Sequence, residues 1–307
     1  MESASVADSP ALARPSSLLA SGAGWRRRAK DRLMTVLIAG AFALAMIPLI
    51  SLVYEVTKRG IPGLSFDFFT EDARGVVGEG GGASHAIVGT LLITGVAALI
   101  SVPIGIMGAI YLNEYGEGRL RRALTFFVDV MTGIPSIVAG LFAYALFELF
   151  LGPGIRLGAM GSVALSVLMI PIVIRSAEEV LKIVPNHLRE AAYALGTPKW
   201  KTIVKVVLPT AFAGLVTGVM IAIARIVGET APLLVTTGVV DSMNSDPFHG
   251  RMQNLAVYAY NEYRSPGVFK QAAYDKAWAA ALTLIAIVML LNGAARLVYR
   301  RYKTEIR

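Results

Sequence analysis

Residues 185–200 read PNHLREAAYALGTPKW and lie between two long apolar segments of the chain. The first half of this stretch consists mostly of good helix formers, with Asn186 at a position suited to an N-cap. Gly196 falls where a helix commonly ends in a left-handed residue. Thr197 then suits the N-cap of a second helix, and Pro198 suits its first position. The pattern predicts two short helices that meet at a tight corner.

Apolar segments of membrane-spanning length surround this corner. A helix needs about 20 mostly apolar residues to cross a ~30 Å hydrocarbon layer. Hydrophobic residues make up 55% of the 307 residues and charged residues 16%, which argues against a water-soluble enzyme. The sequence therefore predicts an all-α membrane protein with six transmembrane helices. The six predicted spans are 33–54, 86–112, 123–147, 157–174, 206–240 and 277–295.

Basic residues are unequally distributed among the segments that join the spans. The tails 1–32 and 296–307 and the loops 113–122 and 175–205 hold 20 Lys and Arg residues, whereas the other loops hold 8. Because Lys and Arg accumulate in cytoplasmic loops, both termini are predicted to be cytoplasmic. The net charge of +8 then reflects topology, and no nucleic-acid partner is expected.

Three charged residues lie within the predicted spans. A charge at the centre of a membrane helix costs about 2.5–3.5 kcal/mol on insertion scales, so each should pair or face a polar pathway. Arg225 and Glu229 are four residues apart, on one face of a continuous helix, where they could form a structural pair. Alternatively, the planar guanidinium of Arg225 lines an anion pathway. Thr132 and Ser136 are further pathway candidates, because their hydroxyls flank a predicted bend. Asp129 is another candidate, although near the cytoplasmic end of its span it could instead reach the interface or a neighbouring helix.

The corner resembles the EAA loop of importer-type ABC transporter permeases. This resemblance implies a type I importer permease fold, in which loop 185–205 forms coupling helices that seat on a cytoplasmic ATPase. Val206 is a departure, since the family usually has Ile there. The residues expected to couple to the ATPase are Glu190, Ala191, Ala192 and Gly196, and the matching motif ends at Leu208-Pro209.

The chain lacks the motifs of several other activities. No Gly-x-x-x-x-Gly-Lys-Ser/Thr occurs, so ATP and Mg are predicted to bind a separate ATPase chain. This chain is expected to have no cofactor, no catalytic residue and no metal site. It has no cysteine, which excludes disulfides and thiolate ligands. A single EAA loop predicts half of a pore that two permease subunits share.

Three further stretches resemble one particular group of ABC importer permeases. Residues 129–142, DVMTGIPSIVAGLF, and 224–234, ARIVGETAPLL, resemble the permeases of the bacterial phosphate-specific ABC importer. Residues 290–296, LLNGAAR, are more similar to its A-type subunit than to its C-type subunit. The resemblance implies inorganic phosphate as the cargo, and a place in the phosphate path for Arg225 and Glu229.

The resemblance also implies a complex in the bacterial cytoplasmic membrane. Its expected partners are a C-type sister permease, two copies of one ATPase, an exterior phosphate-binding protein and membrane lipid. The chain would form one permease domain, 33–300, between cytoplasmic tails 1–32 and 301–307. The exterior loop 241–276, with Tyr258 and two further tyrosines, is a candidate contact for the binding protein.

Other functions remain open from the residues alone. A secondary transporter would also have buried charges, with Asp129 and Glu229 passing protons, but it would not need the EAA corner. An ABC permease for another oxyanion and a channel fit the same spans. An intramembrane protease is disfavoured, because the three histidines are all expected in loops and no His-Glu-x-x-His is present.

Overall fold

The computed structural model describes residues 23–76 and 80–303, so residues 1–22 and 304–307 of the predicted tails lie outside the described part. The chain forms two compact units, Met1–Glu55 and Val56–Arg307. Every regular element within the described ranges is helical. The α-helices are α1 Ala23–Gly60, α2 Phe66–Thr70, α3 Ser84–Ile110, α4 Gly118–Thr132, α5 Ser136–Leu151, α6 Gly158–Ile183, α7 Asn186–Ala194, α8 Lys199–Thr202, α9 Leu208–Val227, α10 Ala231–Thr236, α11 Leu255–Arg264 and α12 Lys270–Lys303.

The first unit contains most of α1. Most of its large apolar side chains are more than half exposed, as at Leu37, Phe42 and Leu49. Such a length of exposed apolar helix suits a hydrocarbon environment and not water. Pro48 lies inside this helix, which continues past it without a break.

Helices of membrane-spanning length confirm the predicted fold class. Five helices in the described part are long and apolar enough to cross a bilayer, and the bent pair α4–α5 makes a sixth if it counts as one span. The axes of α4 and α5 differ by 106°. The predicted bend lies between them, because Pro135 has no N–H to donate and keeps the residue before it out of the helical region.

The fifth predicted span is not one continuous helix. It was expected over 206–240, but α9 ends at Val227. The chain turns at Gly228 and starts the short helix α10 at Ala231, with Pro232 in its first turn. Proline suits that position, since its missing N–H would have no helical partner there. Hydropathy alone did not indicate this break, because the residues on both sides of it are mostly apolar.

Small residues and buried hydroxyls hold α3 close to α6. The Ser162 hydroxyl donates to the Ile93 carbonyl at 3.0 Å, and the Ser166 hydroxyl donates to the Ala97 carbonyl at 3.4 Å. Gly105 also lies at this contact, where an added Cβ would come within 2.6 Å of Val173. These contacts keep the two helices together along much of their length.

The glycine spacing on α9 permits an equally close approach to α6. A Cβ at Gly214 would lie 2.5 Å from Val180, and one at Gly218 would lie 2.7 Å from the Ser176 hydroxyl. A larger residue at either position would push α9 away from α6. As a result, α6 is the central helix of the second unit, with α3 and α9 packed against it.

The corner between α6 and α9 has the predicted shape, with its caps shifted by one residue. Gly196 has a φ of 73°, in the left-handed region, and connects α7 to α8. Asn186 is the first residue of α7 and not its N-cap, and Pro198 takes the N-cap position of α8 that was expected for Thr197. We call α7, α8 and the residues that join them the coupling corner.

Candidate functional site

A cavity of 410 Å³ lies between the bend of α4–α5, the middle of α6 and the end of α9. Since a water molecule takes about 30 Å³, it has room for a small oxyanion and several waters. Four of the five predicted pathway residues line it. The lining residues are Met131, Thr132, Ile134, Pro135, Ser136, Leu168, Ile172, Arg225 and Glu229.

The break after α9 determines how the two predicted charges lie. Arg225 is in the last turn of α9, whereas Glu229 follows the helix end. The prediction that both lie on one helical face was therefore wrong. In the described part of the chain, neither side chain forms an ion pair or hydrogen bond, so the structural pairing considered from the sequence is not formed. Both side chains are instead free to meet a molecule in the cavity.

A close helix contact fixes the position of the segment that follows Glu229. Gly140 on α5 packs directly on α10, where an added Cβ would lie 2.6 Å from the Pro232 Cα. Arg156 donates to the carbonyls of Leu234 and Val235 at 3.0 Å and so satisfies the end of α10. These contacts hold the short helix against α5 and keep the Glu229 loop beside the cavity.

The two predicted hydroxyls differ in their freedom to donate. The Thr132 hydroxyl already donates to the Asp129 carbonyl at 2.6 Å, so only its acceptor capacity is left. Ser136 is the first residue of α5, and its hydroxyl has no partner in the described part of the chain. Ser136 is therefore the better donor to an anion.

The charges around the cavity suit weak, reversible binding of a small anion. The guanidinium of Arg225 and the N-terminal end of α5, which carries a partial positive charge, both favour negative charge. The Glu229 carboxylate and the C-terminal end of α9 oppose it. Apolar side chains such as Leu168 and Ile172 form part of the wall and reduce competition from water.

Asp129, the fifth predicted pathway residue, does not line this cavity. Its carboxylate pairs with Arg175 on α6. Arg175 also pairs with Glu178 at 3.0 Å, and Lys182 pairs with Glu178 at 2.7 Å. We call these four residues the ion-pair chain. The Glu178 side chain is only 6% exposed, so its two cations compensate a nearly buried charge.

The predicted coupling residues differ in exposure. Glu190 and Ala191 are exposed on α7, whereas Ala192 is buried. Sequence reasoning missed two large apolar neighbours, Leu195 at 85% exposure and Trp200 at 62%. A signal for them was present, because both are large apolar residues beside a motif that was expected to contact a partner.

The opposite end of the second unit, around α11, limits the predicted contact with a binding protein. Tyr258 is 2% exposed and packs against His85 at the start of α3, with ring centroids 5.6 Å apart. Burial raises the pKa of Tyr258 and, to a lesser extent, that of Glu262. Tyr263 is 60% exposed. A partner could therefore reach Tyr263 but not Tyr258.

Comparisons with known proteins agree with this architecture. The family described as "Binding-protein-dependent transport system inner membrane component" matches residues 101–304. The chain is 46% identical to phosphate transport system permease protein PstA 1 of Mycobacterium tuberculosis over 276 residues, covering 89% of this chain and 90% of that protein. It is 39% identical to PstA of Yersinia pestis over 284 residues, covering 91% of this chain and 92% of that one.

Two solved structures share the fold. A bacterial alginate ABC transporter, in complex with its alginate-bound periplasmic protein, matches with a TM-score of 0.63 at 16% identity, over 90% of this chain and 97% of that chain. The inward-facing methionine transporter MetNI matches with a TM-score of 0.59 at 24% identity, over 71% of this chain and 94% of that chain. The chain therefore belongs to the family of binding-protein-dependent transport system inner membrane components, and its fold is that of an ABC importer permease.

Proposed function

We propose that this chain moves inorganic phosphate into the cell as one transmembrane subunit of an ATP-driven importer. The observation that carries the proposal is the cavity in which the unpaired Arg225 and the N-terminus of α5 converge. The printed names of the PstA relatives support phosphate as the cargo.

Donors that line the cavity would replace some of the hydrogen bonds that phosphate loses when it leaves water. The Arg225 guanidinium supplies several donors in a fixed plane, which matches the oxygens of a phosphate ion. The Ser136 hydroxyl adds a donor at the start of α5. Glu229 lines the same cavity and repels the anion, so binding stays weak enough for release.

The coupling corner would face the cytoplasm and meet an ATPase. The bias of basic residues toward its side of the membrane supports this orientation for both termini. The exposed surface of Glu190, Ala191, Leu195 and Trp200 offers the ATPase a partly apolar contact. ATP and Mg would bind that partner. A sister permease would complete the pathway, and an exterior binding protein would deliver phosphate at the α11 end.

Gly196 provides a test of this corner. A Cβ at Gly196 meets no atom within 4 Å, so only its φ of 73° restricts substitution. Gly196→Val should lower the phosphate moved per ATP hydrolysed about tenfold, since a β-branched residue in this conformation costs about 1–3 kcal/mol. Gly196→Asn is the matched control, because asparagine tolerates the left-handed region and should couple nearly as wild type does. Equal coupling by all three proteins would contradict the proposed role.

The function itself can be tested with the assembled complex in proteoliposomes. We expect phosphate uptake that requires ATP and persists when the proton gradient is collapsed. Uptake that depends on the proton gradient and is independent of ATP would establish the secondary-transporter alternative. ATP-driven uptake of another oxyanion, with which phosphate does not compete, would support the ABC mechanism but contradict phosphate as the cargo.

A further inference from the structure

Arg189 belongs to the coupling corner, yet its side chain turns inward and is only 12% exposed. Its guanidinium donates to the carbonyl of Val184 at 2.7 Å and to that of Leu181 at 3.1 Å. These carbonyls lie at the end of α6, where the last helical carbonyls lack partners in their own helix. Arg189 therefore attaches α7 to the end of α6.

The same guanidinium also reaches the end of α3. Glu114 lies in a π-helical turn, Tyr111–Tyr115, that continues α3 beyond Ile110. The Oε1 atom of Glu114 accepts from Arg189 Nη2 at 2.8 Å and from Nε at 3.2 Å. The Glu114 side chain is 5% exposed, so this is a nearly buried ion pair with several hydrogen bonds.

A second contact joins the same turn to the other half of the corner. The Lys199 ammonium of α8 lies 4.9 Å from the ring centroid of Tyr115, next to Glu114. Both short helices of the corner are thus joined to one π-helical turn. Turns of this kind are rare and often occur at functional sites.

The contacts continue from this turn to the cavity. α3 packs along α6 through the serine hydroxyls and Gly105 described above, and α6 contributes Leu168 and Ile172 to the cavity wall. A displacement of α7 can therefore reach the cavity through two helices that are fastened together.

We propose that Glu114 and Arg189 are positioning residues that join the coupling corner, α3 and α6 into one moving unit. The inference rests on the proposed function, because it assumes that an ATPase moves α7. Neither residue lines the cavity. Without the pair, the ATPase would still dock and hydrolyse ATP, but its movement would no longer shift the cavity wall.

Glu114→Gln removes the charge and keeps the shape of the side chain. In proteoliposomes containing the whole complex, the phosphate moved per ATP hydrolysed should fall about tenfold, within the usual range of coupling between sites. ATP hydrolysis and recovery of the complex should stay near the wild-type level. Glu117→Gln, three residues along and exposed, is the matched control and should couple as wild type does.

A covalent link separates coupling from folding. Because the natural chain has no cysteine, Glu114→Cys with Arg189→Cys gives this subunit one thiol pair. We expect poor coupling with free thiols, restored coupling after reaction with a cleavable thiol crosslinker, and loss again on cleavage. A purely structural role would not make the phosphate-to-ATP ratio follow the state of the link.

Three results would overturn the inference. The first is normal coupling by Glu114→Gln, and the second is coupling by the double variant that does not depend on the crosslink. The third is a complex that assembles only when crosslinked and couples equally before and after cleavage, since this indicates a structural role. Failure of the wild-type complex to move phosphate with ATP would instead count against the proposed function.

Discussion

Two regions of the second unit each contain an arginine on a helix of membrane-spanning length. The two arginines differ in their charged partners. In the ion-pair chain, Arg175 contacts Asp129 and Glu178, and Lys182 contacts Glu178 as well. In the cavity, Arg225 has no charged partner in the described part of the chain, although Glu229 lines the same space. The first arrangement compensates its charges internally, whereas the second leaves a cation available. Residue type alone does not distinguish these roles, but the partners do.

The largest expected effect is the loss of the available cation. Arg225→Ala should lower phosphate uptake about 100-fold, since it removes two or more charge-assisted hydrogen bonds to the anion. Uptake in proteoliposomes measures this, with recovery of the complex as the control for assembly. Arg225→Lys retains the charge but not the planar set of donors, so it should recover only part of the activity. Wild-type uptake by Arg225→Ala would show that the cavity does not bind phosphate during transport.

An intermediate effect is expected at Glu229. Glu229→Gln removes a repulsion of about 1 kcal/mol, which corresponds to about fivefold tighter binding of the anion. We expect a lower phosphate concentration at half-maximal uptake together with a lower maximal rate, because release becomes slower. Opposite shifts in both quantities would indicate that the carboxylate assists binding.

The smallest effect is expected in the ion-pair chain. The Asp129 side chain is 59% exposed, and exposed pairs contribute about 0–1 kcal/mol. Asp129→Asn should therefore lower the melting temperature of the purified subunit slightly and leave uptake nearly unchanged. A loss of uptake as large as that of Arg225→Ala would place Asp129 in the pathway after all, as the sequence allowed.

The sequence predicted those features that depend on local chemistry. Gly196 and Pro135 mark their turns through backbone restrictions that operate within a few residues, and the structure has both turns where they were expected. The end of α9 at Val227 was missed, because apolar residues continue on both sides of the break. Only Gly228 and Pro232 signalled it, and both residues are also tolerated inside membrane helices.

Long-range pairings were beyond the reach of the sequence. Asp129 and Arg175 are 46 residues apart, and Glu114 and Arg189 are 75 residues apart. Helical periodicity relates residues within two or three turns, so it cannot indicate which distant charges meet. Arg175 was further assigned to a loop, whereas α6 extends through it to Ile183. The packing of α3, α4 and α7 against α6 decides these pairs.

The most direct test of the central claim uses a thiol inside the cavity. Ser136→Cys gives this cysteine-free chain one site for a charged, water-soluble thiol reagent. We predict that the reagent labels the thiol, that phosphate slows the labelling, and that adding Arg225→Ala abolishes this protection. A thiol that the reagent cannot reach, or protection that persists without Arg225, would contradict the claim that this guanidinium receives the anion.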